Sequence, residues 1–437
     1  MPRFSIENFG CRATDADAAA LRQALLADGL THVAEHASAD FVVLNTCTVT
    51  AAADAQAREA VRKIRRANPA ARIVVTGCYA QRAPEELAAL EGVEWVVGNS
   101  RQGRIPQLLR GADFVSLAEL EGDALSLARA PAKILTGDIF AQSTVQIAPA
   151  ASPEGERTRP ILKIQDGCNN RCSYCVIPFV RGRSRSLPPG EVVREARALC
   201  HSGAKEVVLS GINLGSYGRD LSPRSALAEV VRRILGETPL DRLRLSSIEP
   251  QDVTEDFIRL VASSPRLARH FHIPLQSGCD RILRAMHRWY RTAHYAERAN
   301  LVRRTLPDAA IGADVIVGFP GETDADFAAT REFIERLPLT YLHVFSFSER
   351  PGTAAAALGD RVPAATIRER ARALRALSQR KSDEFRAAQV GCTMRALTLA
   401  RGGDDYTEAL TGNYLKVRVA GRHPANQWHD VRIGSSS

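Results

Sequence analysis

No apolar run in the sequence approaches the roughly 18 to 20 residues a helix needs to span a bilayer. The N-terminus, MPRFSIENFGCRATDADAAA, lacks an apolar signal core and turns acidic early. That pattern argues against secretory and organelle targeting and places the chain in the cytoplasm. Long internal repeats and low-complexity tracts are missing, and 45% hydrophobic with 24% charged residues is an ordinary folded composition. With 437 residues the chain is too long for one core, so two or three domains are expected. Disulfides are not expected. Nine cysteines, an odd number, in a reducing compartment favour metal binding or catalysis. The net charge of +9 suits a polyanion such as nucleic acid, although an Arg-rich chain also drifts basic without any such partner.

What is present is a β/α alternation, twice over. PRFSIENFGC, DFVVLNTC and ARIVVTGC read as strands separated by helical DADAAALRQALLADG and TAAADAQAREAVRKIRRANP. A parallel α/β sheet over residues 1–122 follows. Each strand ends in a cysteine: Cys11, Cys47 and Cys78. Ligands in open parallel sheets bind beyond the carboxyl ends of the strands, so the three can converge on one metal. The competing reading is three separately buried thiols. A linker is expected over 123–156. The alternation restarts over 157–388 with six strand candidates: ILKIQDGC, AKEVVLSGINLG, DRLRLSSIEP, HFHIPLQSG, AAIGADVIVGFPGE and LTYLHVFSFSE. Six units rather than eight predict a partial, TIM-like barrel with its working residues just after the strands. Residues 281–306 read as one helical segment. Residues 389–437 alternate with Gly and Asn turns and read as a small β-barrel or sandwich.

The densest signal is LKIQDGCNNRCSYCVIPFVRG, where three residues and then two separate Cys168, Cys172 and Cys175. No fourth Cys or His follows at short range, unlike a closed zinc site. Iron–sulfur clusters are held by Cys thiolates, and three ligands leave one iron open to an outside group. The spacing, with Tyr174 before the last cysteine, resembles the radical S-adenosylmethionine (SAM) signature. Together with NTCTVTAAAD, VVTGCYAQ, RLRLSSIEP, PLQSGCDRILRAM, VIVGFPGET and the tail LTGNYLKVRV, it resembles the methylthiotransferase family over essentially the whole chain. CTVT, DGCN and SSIEP are similar to the branch acting on N6-threonylcarbamoyladenosine at position 37 of tRNA. The isopentenyladenosine and ribosomal-protein branches are the alternatives within the family. A non-catalytic iron–sulfur or zinc protein that binds RNA is the alternative outside it.

The resemblance implies two [4Fe–4S] clusters, one on Cys168, Cys172 and Cys175 and one on Cys11, Cys47 and Cys78. It implies SAM, cleaved to a 5′-deoxyadenosyl radical that removes hydrogen from adenine C2, with sulfur inserted from the N-terminal cluster. It implies SAM contacts from Tyr174, Gly211, Asn213, Glu249 and Gln276. It also implies a TRAM-like RNA-binding tail, a tRNA anticodon loop as substrate, an electron donor such as flavodoxin or ferredoxin, and a monomer. Arg181, Arg183 and Arg185 are candidate tRNA-backbone contacts, as are Tyr414, Lys416 and Arg418. The family carries Asn three residues after its first ligand, where this sequence has Thr14. Cys200, Cys279 and Cys392 fit no ligand set, and His272 reads as a packed, hydrogen-bonded histidine.

Overall fold

The computed structural model describes residues 1–110, 132–145 and 158–434. The chain packs as two compact units. The first comprises Met1–Pro149, Gln165–Ser186 and Ser348–Ala356, and the second Ala150–Ile164, Leu187–Phe347 and Ala357–Ser437.

The first unit is built on a six-stranded parallel sheet, in the order β2-β1-β3-β4-β5-β6. Its strands are β1 (Arg3–Asn8), β2 (Thr31–His32), β3 (Phe41–Thr46), β4 (Arg72–Gly77), β5 (Val93–Gly98) and β6 (Lys133–Leu135). FVVLNT in β3 is buried at every position, as expected for a strand covered on both faces. One face carries the helix Ala51–Ala67 against Val42, Leu44, Ile73 and Val75; the other carries Leu21 and Leu25 against Phe4, Val43 and Val74. The three strands expected here are present, and β5 and β6 extend the sheet beyond them. The linker expected over 123–156 lies partly outside the described residues. Lys133–Leu135 within it is an edge strand paired to Trp95–Val97.

The barrel strands begin with β7 (Ile161–Asp166), whose last two residues count with the first unit, as does the short β8 (Arg185–Ser186). The second unit carries β9 (Glu206–Gly211), β10 (Arg242–Leu245), β11 (His270–His272), β12 (Ala310–Val317) and β13 (Tyr341–Ser346). The pairs β9–β10, β11–β12 and β12–β13 are parallel, and the bridges Leu243↔Leu267 and Ser247↔His272 join β10 to the β11 side. All six strand candidates of the partial barrel are present. Helices Pro189–His201, Leu227–Glu237, Thr292–Thr305 and Ala364–Ala387 punctuate them. The tail forms an antiparallel sheet, β16 (Lys416–Ala420), β15 (Tyr406–Thr411), β14 (Thr393–Gly402) and β17 (Trp428–Arg432), in that order. This open curled sheet is consistent with a TRAM-like domain.

One element differs from the sequence reading. Residues 281–306 are not one helix but two, Asp280–Ala285 and Thr292–Thr305. His287 adopts φ +55 between them, a conformation that cannot continue a helix. The break lets Tyr290 donate to the carbonyls of Pro274 and Leu275 at 2.9 and 2.8 Å. It also turns Arg288 onto Glu249. Tertiary hydrogen bonds here outweigh the local helix pattern.

The C-terminal sheet is held to the barrel by a buried charge cluster. Glu206 at the start of β9 accepts from Arg244 at 2.7 Å, Arg242 at 2.5 Å and Arg159 at 3.3 Å. Arg242 and Arg244 also donate to the carbonyls of Leu410 and Thr411, both at 2.9 Å. Trp428 lies under both Arg242 and Arg395, and its indole N–H donates to Asp241 at 2.7 Å.

Candidate functional site

In the first unit β1, β3 and β4 are neighbours, so Cys11, Cys47 and Cys78 leave one edge of the sheet side by side. Gly10 makes the approach possible. Its φ is +118, and a Cβ there would stand 2.6 Å from the Cβ of Cys47. Only glycine tolerates both conditions. Cys11 caps the helix Arg12–Ala27, and Cys78 opens the helix Cys78–Arg82. Thr14 is buried; its hydroxyl donates to the Cys11 carbonyl at 2.7 Å and its own carbonyl accepts from Asn45 Nδ2 at 2.8 Å. The Cys11 loop is therefore braced without an Asn at that position.

The electrostatics show that the three sulfurs share one pocket. Burial pushes the Cys47 thiol up to about 12, with Cys78 and then Cys11 adding to the rise and Arg181 opposing it. Burial likewise raises Cys78, opposed by Arg181 and by Asn99, whose Nδ2 lies 3.5 Å from its Sγ. Thiols that resist ionising together give up their protons when a metal takes their place. Three thiolates with no fourth protein ligand suit an iron–sulfur cluster, which spreads its thiolates over several irons and leaves one iron open.

Cys168, Cys172 and Cys175 lie in the loop after β7 and are half-buried. Gly167 (φ +71) starts the loop, and a Cβ there would sit 2.0 Å from the Arg183 carbonyl oxygen. The Cys168 N–H donates to Gly182 O and the Cys175 N–H to Cys172 O, both at 3.1 Å. The Asn170 N–H donates to Cys168 Sγ at 3.4 Å. Tyr174 is half-buried in the same loop, and Ala355 N–H ties Ser173 O at 2.7 Å.

The arginine run needs correcting. Arg183 is exposed, but Arg181 and Arg185 are buried and committed to carboxylates. Arg181 lies 2.8 Å from Asp17 and 3.1 Å from Asp166, and Arg185 3.2 Å from Asp166. Burial works against the Arg181 charge, yet Asp17, Cys78, Asp166 and Cys11 together hold its pKa well above the ordinary value. Its Nε, also buried, has no hydrogen-bond partner. Arg181 thus joins the loop of one cysteine set to the pocket of the other, within one unit. Sequence reasoning missed this because Arg181 reads as part of a basic RGRSRS run, while its partners lie 164 and 15 residues away. A second missed network buries Asp54 against Arg82 at 3.1 Å and against Arg350, with Thr48 donating to Asp54 at 2.6 Å.

In the second unit the remaining candidates sit at strand ends. Gly211 ends β9, and Asn213, buried, opens the turn Leu214–Ser216. Glu249 follows β10 and pairs with Arg288; burial raises its pKa while Arg288 opposes. Gln276 holds φ +65 with its N–H on Asp314 O at 2.8 Å, a strained backbone of the kind found at ligand sites. In GFPGET, the Gly318 N–H donates to Glu322 at 2.7 Å, closing a turn. Tyr414 is half-buried, and one face of its ring stacks on His270 at 4.2 Å. Lys416 and Arg418 are exposed. Cys279 lies 3.1 Å from Asp326 and Cys392 is exposed.

Family models match twice: residues 3–98 match "Uncharacterized protein family UPF0004", and residues 162–334 match the Radical SAM superfamily. Among curated relatives, threonylcarbamoyladenosine tRNA methylthiotransferase MtaB of Aquifex aeolicus is 36% identical over 96% of this chain and 97% of its own. MtaB of Bacillus subtilis is 34% identical over 96% and 91%. The tRNA-2-methylthio-N(6)-dimethylallyladenosine synthase of Thermobifida fusca is 36% identical over 95% and 82%. Among solved structures, the radical S-adenosylmethionine methyltransferase TsrM of Kitasatospora setae aligns with a TM-score of 0.58 at 18% identity. That alignment covers 81% of this chain and 77% of TsrM, a likeness of fold. Among the described residues no helix is long and apolar enough to cross a membrane. With two cysteine triplets on an α/β sheet and a partial barrel, and relatives matched nearly end to end, the chain belongs to the radical SAM tRNA methylthiotransferases, sulfur-transferring enzymes that use SAM and two [4Fe–4S] clusters.

Proposed function

We propose that the chain converts N6-threonylcarbamoyladenosine at position 37 of tRNA to its 2-methylthio derivative. The observation that carries the substrate is length together with identity. The chain spans 91 to 97% of the MtaB relatives from Aquifex, Bacillus and Rickettsia. It spans 76 to 82% of the dimethylallyladenosine synthases. Those synthases, at 35 to 37% identity, are the second reading of the substrate.

Cys168, Cys172 and Cys175 would hold the cluster that binds SAM, and Cys11, Cys47 and Cys78 the second. When bound, these groups supply a 5′-deoxyadenosyl radical for hydrogen removal at adenine C2 and the sulfur that is methylated and inserted. The chain's own residues do the rest. Arg181 sets a fixed positive charge beside the N-terminal thiolates, and Asp17 and Asp166 hold its fork in place. Asn99 supports Cys78 from the other side. Burial of Cys47 and Cys78 keeps water from the sulfur. In the second unit Arg288 fixes Glu249 just after β10. The reducing electrons come from a donor such as flavodoxin or ferredoxin, and the enzyme works in the cytoplasm as a monomer.

Mass spectrometry of tRNA nucleosides from a deletion strain tests the substrate. Loss of 2-methylthio-threonylcarbamoyladenosine, restored by this gene but not by its Cys168→Ala form, is the expected result. Persistence of that nucleoside in a strain with no second copy, or loss of the isopentenyl derivative instead, overturns it.

A further inference from the structure

The second unit gathers a different set of donors on one face of its sheet. β11, β12 and β13 are parallel neighbours, with His272 opposite Gly312 and Asp314 opposite His343. Side chains two residues apart share a face. His272, Gly312 and Tyr341 therefore form one layer of that face, and Asp314 and His343 the next. Gly312 leaves the room: a Cβ there would meet the Tyr341 ring at 2.1 Å. Tyr341 leans across it, with its hydroxyl 2.8 Å from His270 Nε2. In the next layer one carboxylate oxygen, Asp314 Oδ1, lies 3.2 Å from His272 Nε2 and 3.2 Å from His343 Nδ1. One ligand atom from each of the three residues lies within 4.8 Å of the others.

We propose that His272, Asp314 and His343 form a site for a divalent first-row metal ion, zinc foremost, separate from both iron–sulfur clusters. Three features separate this from an ordinary hydrogen-bonded trio. His272 is 7% exposed, and its Nε2 makes no hydrogen bond despite the nearby oxygen. The other ring nitrogen, Nδ1, is held by Ser247 Oγ at 2.7 Å, the outer-shell support that fixes ring orientation in metal-ligating histidines. The two 3.2 Å edges also match a metal polyhedron. Bonds of about 2.0–2.1 Å give ligand–ligand edges of about 3.3 Å in a tetrahedron and about 2.9 Å in an octahedron.

Two imidazoles and a carboxylate suit zinc or iron(II) rather than magnesium or calcium, which prefer all-oxygen sets. Binding displaces the proton that His343 Nδ1 now shares with Asp314, at 3.2 Å. The entry side is His343, whose side chain is 52% exposed on the edge strand β13. Three protein ligands leave at least one position open, the arrangement of zinc sites that polarise a bound oxygen. The candidate ligand for that position is a carbonyl or carboxylate oxygen.

The test measures metal content, so it does not depend on which nucleoside is modified. Holoenzyme with both clusters rebuilt anaerobically is equilibrated with zinc, desalted, and assayed for zinc, iron and acid-labile sulfide. The wild type should retain about one zinc per chain beyond its iron–sulfur complement. Asp314→Asn and His343→Ala should lose it, and Ser247→Ala should weaken zinc affinity about ten- to hundredfold. Unchanged iron and sulfide in these variants shows that the fold and clusters survive. For any variant with low iron, His343→Gln, changed only at the exposed edge, replaces it. Wild-type protein that retains no zinc, or zinc retained equally by Asp314→Asn and His343→Gln, overturns the site.

Discussion

At the residue scale, the six cluster cysteines were legible because their signal is local: a short spacing in one case, the last position of three strand patterns in the other. Arg181 was not, because its environment is made by residues distant in sequence. A guanidinium 2% exposed between two carboxylates is a fixed charge, not a phosphate contact. Arg181→Met leaves Asp17 and Asp166 buried with the charge removed, and breaking such a pair costs about 3–5 kcal/mol. Denaturant unfolding under anaerobic conditions should show a loss of that order. Arg183→Ala, two residues away and exposed, should stay within about 0.5 kcal/mol of wild type. Equal stability of the two variants would return Arg181 to the surface.

At the scale of elements, the parallel strands could be read because strands such as β3 and β4, buried along most of their length, appear as short apolar runs ending in Gly-rich or polar turns. The helical stretch 281–306 misled because periodicity does not register a non-glycine residue at φ +55. That cost is met by Tyr290 and Arg288 bonds formed only in the folded barrel. Two predictions belong here. Gly10→Ala puts a Cβ against Cys47 in a backbone conformation alanine resists. Iron should fall from about eight to about four per chain, with the remainder lost on further substitution of Cys168, Cys172 and Cys175. Full iron in Gly10→Ala would mean that Cys11 and Cys47 do not need this close approach.

The second concerns Glu206. Burial alone would raise its pKa, but Arg244 and Arg242 outweigh it and hold the group at about 2, against an ordinary 4.5. A depressed carboxylate contributes stability above its unfolded pKa and loses it as pH falls toward the folded value. The attachment of the C-terminal sheet should therefore weaken between about pH 4.5 and 2. Trp428, stacked with Arg242 and Arg395, reports it by fluorescence. Glu206→Gln should already be weakened at neutral pH and should flatten the acid transition in that window. Parallel transitions in the two proteins would assign the acid loss to other groups.

At the scale of the whole molecule, the charge of +9 is what the sequence offers for tRNA, but the structure redistributes it. Arg159, Arg181, Arg185, Arg242 and Arg244 are spent on interior carboxylates, and one face of the Tyr414 ring is taken by His270. The polyanion must be met by what stays exposed, and of the candidates these are Arg183, Lys416 and Arg418. Each cation that neutralises a phosphate releases counterions, so log affinity falls linearly with log salt. tRNA binding measured over a salt series should show that dependence. Arg183→Ala and Lys416→Ala should each lower the slope by about 1 if the side chain meets a phosphate. If Arg183→Ala and Lys416→Ala both leave the slope intact, neither side chain meets a phosphate and the RNA lies on a different face.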